Sequence, residues 1–221
     1  MMEENAGKGV GLTFISTGTV KIRPSMRSQP MTGYTDRLQA IVLSHLHGDH
    51  AGGLHDLAKA APDVPVYVNR EHWGVFGNNY FQATLQGCTP QHWPENFKPK
   101  MLEFTEEPVG PWKKSGKITT DGKVVAVPTP GHVPGHISLV VYGDNDDGTQ
   151  TTYLLPGDAT YGVDLLDKEE PDGINDDPMT ALQSLQLIKE FARQTDVVVL
   201  PSHDANVDSL LREKRVYKPK Q

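Results

Sequence analysis

In the string Ser44-His45-Leu46-His47-Gly48-Asp49-His50-Ala51-Gly52-Gly53, three imidazoles and one carboxylate fall within six positions. These are donors that bind first-row divalent cations, so the spacing reads as a metal site. In an extended segment His45 and His47 project to the same side, because strand residues alternate with period two. A turn at Gly48 lets Asp49 and His50 come from the start of a following helix. Four donors from one short stretch are too many for a single tetrahedral zinc that also keeps a water. The spacing therefore points to two adjacent cations, with His45 and His47 on one and Asp49 and His50 on the other.

Such a site needs further donors from distant strand ends. Thr129-Pro130-Gly131-His132 follows the apolar run 124–128, Pro156-Gly157-Asp158 follows 151–155, and Pro201-Ser202-His203-Asp204 follows 197–200. Each donor stands just past the carboxyl end of a buried strand, where α/β sites are commonly built. His132 would complete the first imidazole set, His203 would join Asp49 and His50, and Asp158 could bridge both. Further strand-like runs lie at 10–16, 19–23, 40–44, 65–69 and 137–142, alternating with helical patterns, which argues for a mixed α/β class. The clearest helix spans 178–193. Asp177 is its N-cap, Pro178 occupies the first helical position, and Leu182, Leu185, Ile188 and Ala192 follow at helical spacing. A second helix starts just after His50 and covers 54–60.

Together these residues resemble the metallo-β-lactamase superfamily, whose motif reads His-x-His-x-Asp-His, over the span from Ile41 to His203. Within it the match is closest to the N-acyl-homoserine lactonase-like group. The resemblance implies an αββα sandwich with the site at one edge of two sheets, in a single metallo-hydrolase domain over residues 1–221. Only 44 residues precede the hexapeptide, a shortened N-terminal half beside that family. The resemblance also implies two divalent ions, zinc by default. His45, His47 and His132 would hold the first, Asp49, His50 and His203 the second, with Asp158 as the bridge. Tyr161, three residues after Asp158, matches a tyrosine whose phenol hydrogen-bonds the substrate carbonyl or leaving group. The implied reaction is opening of a lactone ring, on an acyl-homoserine-lactone-like substrate, by a metal-bridging hydroxide. Asp49 would orient that nucleophile or carry a proton to the leaving oxygen. Two alternatives stay open: another ester or thioester hydrolase of the superfamily, or a catalytically inert metal-binding short form.

Composition narrows the classes. With 21 Lys+Arg against 28 Asp+Glu the net charge is −7, so the basic footprint of a general nucleic-acid binder is absent. No apolar run approaches the ~18 residues that cross a bilayer. The start MMEENAGKGVG has neither the basic nor the apolar region of a secretory signal. Cys88 is the only cysteine, which rules out an intrachain disulfide and fits a reducing, cytoplasmic setting. The expected partner is a small lactone or ester, and an exposed apolar sheet edge would favour a homodimer.

The remaining conspicuous residues read as structural. His136 supports the fold or the ligands, while His55, His72 and His92 are ordinary surface or loop histidines. Cys88 has no basic neighbour to activate it. Ser202, His203 and Asp204 are too close in sequence to form a relay. The acidic stretches 144–147 and 164–177 read as exposed loops, and the basic tail from Arg212 to Lys220 as solvent-facing. The aromatics Trp73, Phe76, Tyr80, Phe81, Trp93 and Phe97 either roof a substrate pocket or anchor a long connection.

Overall fold

The β-branched runs pair into two sheets in a computed structural model that describes residues 13–16 and 38–220. The first sheet has the order β1 (Thr13–Ser16), β2 (Leu38–Val42), β3 (Val66–Asn69), β4 (Lys100–Leu102). β1 runs antiparallel to β2 and the other pairs are parallel. The second sheet has the order β5 (Gly116–Lys117), β6 (Val124–Pro128), β7 (Ile137–Asp144), β8 (Gln150–Leu155), β9 (Val197–Val199). Its pairs are antiparallel except β8 with β9. The strand expected at 19–23 and the first residues of the one expected at 10–16 lie outside the described residues.

Period-two alternation sends successive side chains of these strands into different cores. From β2, Ala40 and Val42 face the centre while Ile41 points outward. From β7, Leu139 and Val141 face the centre and Val140 the outer layer. α2 (Leu54–Ala60) and α3 (Arg70–Phe76) cover the first sheet through Leu54, Leu57 and Phe76. α5 (Val163–Lys168) and α6 (Pro178–Gln194) cover the second through Leu166, Leu185, Ile188 and Phe191. The result is the expected αββα layering. α7 (Val207–Glu213) adds Val207 and Leu210 to the central core.

Topology collects the strand ends. β6 and β8 both run antiparallel to β7, so they point the same way, and β9 is parallel to β8. Their carboxyl ends therefore share one edge. β2 delivers its own end to the same place, where Ile137 N–H donates to the Ser44 carbonyl at 3.2 Å. β2 starts and stops two residues before the expected 40–44 run, because the chain leaves the ladder after Val42 to carry the histidines.

α6 is placed as the sequence indicates, with the Asp177 carboxylate accepting from the N–H groups of Met179 and Thr180. Leu182 is only half-buried; Ala181 and Ser184 pack inward instead. The reason is the loop they meet. Ser184 Oγ donates to the Pro130 carbonyl at 2.6 Å, and a Cβ on Gly131 would come within 2.2 Å of Ala181 N. Gly131, at φ 130°, is thus required for α6 to press against the loop that carries His132.

One expectation needs correction, and two others gain detail. The 164–177 stretch is not simply an exposed loop, since α5 occupies its start with Leu166 buried, and the Asp172 side chain is only 5% exposed. The proline-containing segment holds α3 and α4 (Tyr80–Leu85), capped by Asn69 and Asn79 and both ending before Pro90. Its aromatics Trp73, Trp93 and Phe97 pack ring against ring, with Phe76, in the outer core. They anchor the connection and do not roof a pocket. The basic side chains of the tail, Arg212, Lys214, Arg215, Lys218 and Lys220, are exposed as expected, although the tail itself is tied down. Tyr217 is buried, its hydroxyl donating to Asp167 at 2.9 Å, and Lys220 pairs with Asp167 at 2.8 Å. Among the described residues no helix is long and apolar enough to cross a membrane.

Candidate metal centre

After β2 the chain runs extended through His45 and His47, then turns into the one-turn helix α1 (Gly48–Ala51), which carries Asp49 and His50. Gly48 N–H is held by the Gly87 carbonyl at 3.1 Å. The other donors arrive just beyond β6, β8 and β9, as the sequence suggests. They form two groups, His45 with His47 and His132, and Asp49 with His50, Asp158 and His203. Within each group one ligand atom per residue lies within 4.8 Å of the others.

Asp158 faces both groups. Its side chain is 2% exposed, with Oδ1 3.0 Å from His50 Nε2 and Oδ2 3.2 Å from His203 Nε2. Oδ2 also lies 3.7 Å from His132 Nε2 and 3.9 Å from His45 Nε2. His132 Nε2 is 3.1 Å from His47 Nδ1, and Asp49 Oδ2 is 3.3 Å from His203 Nε2.

Burial drives His45 well below the ordinary histidine pKa, with further lowering from the His50 imidazole. Burial and His132 likewise bring His47 down to about 4. Both rings are therefore neutral near pH 7 and present lone pairs. Burial alone would raise Asp158, but the hydrogen bond from His203 and the close approach of the His50 imidazole override it and hold the carboxyl well below the usual range. Hydrogen bonds to Asp158 and Asp49 push His203 up to about 10, and Asp49 is lowered by the same bond from His203.

A divalent cation fits this donor set. His45 Nε2, His50 Nε2 and Asp158 Oδ1 are buried and have no hydrogen-bond partner. His50 Nε2 and Asp158 Oδ1 approach to 3.0 Å without the alignment of a hydrogen bond. Buried orphan donors and acceptors cost free energy. Imidazole nitrogens converging with a carboxylate are the donor set that a cation such as zinc satisfies.

A buried polar frame holds the ligands. Gly157 sits at φ 58°, and a Cβ there would meet His136 Nε2 and the Ser44 Cβ, each at 2.8 Å. That close approach lets Asp158 N–H donate to His136 Nε2 at 3.1 Å. The His136 Nδ1–H donates to the Thr129 carbonyl at 3.0 Å. His136 thus supports the ligands, as expected, and burial keeps it neutral, at about 3.

His72 is a correction. It is fully buried, not a surface histidine. Its Nε2 accepts from Leu46 N–H at 2.9 Å, between two ligand histidines, and its Nδ1–H donates to the Pro134 carbonyl at 2.7 Å. A lone histidine outside any motif carries no signal in sequence that could have revealed this. Replacing His72 by Leu should strand the Leu46 N–H at a cost of about 1–3 kcal/mol. At ~2–4 °C per kcal/mol for a chain of this size, thermal melts of the metal-free variant should register a drop of several degrees.

Tyr161 comes to the centre, its ring 4.7 Å from that of His203 and 6.2 Å from that of His132. Burial, then the negative charge of Asp158, raises its pKa, so the phenol keeps its proton. It lines a cavity of about 700 Å³ together with His47, Asp49 and Asp158. Leu85 and Ile174 are apolar walls of the same cavity, 71% and 70% exposed. Of the other residues singled out, His55 and His92 are exposed, and burial pushes the Cys88 thiol up to about 12, away from reactivity. Asp204 accepts from Val163 N–H at 3.1 Å and so ties α5 beside the site.

A family model described as metallo-beta-lactamase superfamily matches residues 36–203. An N-acyl homoserine lactonase of Bacillus thuringiensis is 28% identical over 181 residues, which is 80% of this chain and 60% of that protein. The uncharacterized protein YobT of Bacillus subtilis (strain 168) is 34% identical over 128 residues, 55% of this chain and 46% of that protein. Among solved structures, an N-acyl homoserine lactone hydrolase with the product N-hexanoyl-L-homoserine bound at its catalytic metal center superposes with a TM-score of 0.57 at 26% identity. That match covers 83% of this chain and 61% of the other. The chain thus spans about half to three-fifths of the length of these relatives.

Proposed function

The chain belongs to the metallo-β-lactamase superfamily, and from that premise we propose that it is a dinuclear metal-dependent hydrolase that opens a lactone ring, on a substrate of the acyl-homoserine-lactone class. The observation that carries this reading is a pair of donor groups in which Asp158 of one lies within 4 Å of His45 and His132 of the other, beside a cavity that Asp158 and Tyr161 both line. His45, His47 and His132 would hold one ion, Asp49, His50 and His203 the other, and Asp158 would bridge them. The lactonase and lactone hydrolase relatives support the substrate class.

Two divalent cations, zinc by default, would supply Lewis acidity and a water whose pKa falls from 15.7 toward about 7. The chain's own residues do the rest. Asp158 balances the positive charge from a buried position that water does not screen. The half-exposed Asp49 carboxylate reaches the cavity, where it orients the attacking water and carries its proton to the leaving alkoxide. The Tyr161 phenol, held protonated, donates a hydrogen bond to the carbonyl oxygen as charge develops there. One C–O bond forms from water to the carbonyl carbon, the ring C–O bond breaks, and the proton ends on the freed hydroxyl. Leu85 and Ile174 give an apolar acyl portion a surface to lie on.

The test is elemental analysis of the purified protein beside a pH-indicator assay on acyl-homoserine lactones, simple lactones, esters and thioesters. The expected result is two ions per chain and turnover of lactones above the other classes. Preferred turnover of thioesters would move the reading to another activity of the superfamily. Two ions without turnover of any ester would make the chain an inert metal-binding form.

A further inference from the structure

His132 turns its two ring nitrogens toward different surroundings. Nε2 faces the ligands, 3.1 Å from His47 Nδ1 and 3.7 Å from Asp158 Oδ2. Nδ1 points away from them, is buried, and has no hydrogen-bond partner. Facing it at 3.6 Å is Asp172 Oδ2, which is also buried and without a partner.

A turn explains only half of Asp172. Its Oδ1 accepts from Ile174 N–H at 2.7 Å and from the Asn175 side-chain amide at 3.3 Å, closing an Asx-type turn. Oδ2 takes no part in that turn. The segment around it is pinned to the His132 loop, with Asp176 N–H donating to the His132 carbonyl at 3.0 Å and Asp177 N–H to that of Gly131 at 2.9 Å. The carboxyl group is therefore held opposite the imidazole by backbone bonds independent of both side chains. A buried carboxylate oxygen with no donor is costly, and the donor available to it is a proton on His132 Nδ1.

We infer that Asp172 is a positioning residue that holds His132 in the Nδ1–H tautomer, so that Nε2 presents its lone pair to a metal ion. The inference rests on the metal-centre reading above. Closing the gap by about 0.6 Å makes a charge-assisted hydrogen bond. The opposite tautomer would aim an N–H at the ligand cluster and oppose a cation there. A carboxylate behind a ligating imidazole also raises its basicity, and losing such a partner weakens metal binding about 10–100-fold.

Asp172→Asn separates this role from the turn. Asparagine can keep its oxygen on Ile174 N–H, but it then turns an NH₂ group toward His132 Nδ1 and favours the wrong tautomer. The experiment is cobalt(II) titration of metal-free protein, followed by visible absorption, with zinc affinity measured against a chromophoric chelator. Wild type should load two ions. Asp172→Asn should melt within a few degrees of wild type when metal-free, bind one ion about 10–100-fold more weakly, and show an altered cobalt spectrum. An unfolded variant is covered by a second measurement on zinc-loaded wild type, in which the His132 Nδ1–H proton should exchange slowly with solvent and resonate downfield. If wild type loads two ions and Asp172→Asn matches it in affinity and spectrum, the inference falls alone. A rapidly exchanging Nδ1–H overturns it equally. If wild type binds no cobalt, the metal-centre reading falls and takes this inference with it.

Discussion

Asp158→Asn should remove metal loading and ring opening in the same step. The side chain is 2% exposed and lies within 4 Å of His45, His50, His132 and His203. Asparagine has nearly the same shape, and the backbone anchors survive, since His136 accepts from the N–H of residue 158 and not from its side chain. What disappears is one buried negative charge. In its place an NH₂ group faces imidazole lone pairs. Removing one partner of a buried ionic arrangement costs about 3–5 kcal/mol. As binding free energy that corresponds to roughly 100- to 5,000-fold in metal affinity. Zinc competition against a chromophoric chelator and the lactone assay, run on one sample, should fall together. A variant that keeps both ions and full turnover would show that Asp158 is neither ligand nor bridge.

Chelation should abolish hydrolysis, and zinc should restore both activity and heat stability. The physical cause is the set of buried atoms that lack partners without a cation, His45 Nε2, His50 Nε2 and Asp158 Oδ1. An ion that binds the folded state alone at 100–1,000 times its dissociation constant stabilises by about 2.7–4.1 kcal/mol. For a chain of this length that amounts to a rise of roughly 5–16 °C in Tm. Magnesium should not substitute, because it prefers oxygen ligands and an octahedral shell, whereas five of the seven donors are imidazoles. Differential scanning calorimetry after chelator treatment, with and without each ion, reads the effect. An unchanged Tm on adding zinc would leave the clustered histidines without a metal-binding explanation.

The two candidate ligand groups were legible because their signals are local. Period-two alternation and a glycine turn are enough to converge His45, His47, Asp49 and His50, and the apolar runs before His132, Asp158 and His203 mark each of those as a strand end. α6 was legible for a similar reason, since Asp177, Pro178 and the 3.6-residue repeat are all short-range. Short helices such as α3 and α4 were not, because six or seven residues hold too few turns to establish a period, and packing in the outer core stabilises them.

The sequence by itself determined which residues gather in the candidate metal centre and on which side of each strand they emerge, because those properties depend on neighbours a few positions away. Only the tertiary structure decided which bystanders hold them. His72 is 26 residues from Leu46 and 62 from Pro134 along the chain, and Asp172 comes within 3.6 Å of His132 from inside an acidic stretch. A hydrogen-bond partner for a ring nitrogen is selected by distance in space. Distance along the chain carries almost none of that information once two sheets and their helices have folded over one another.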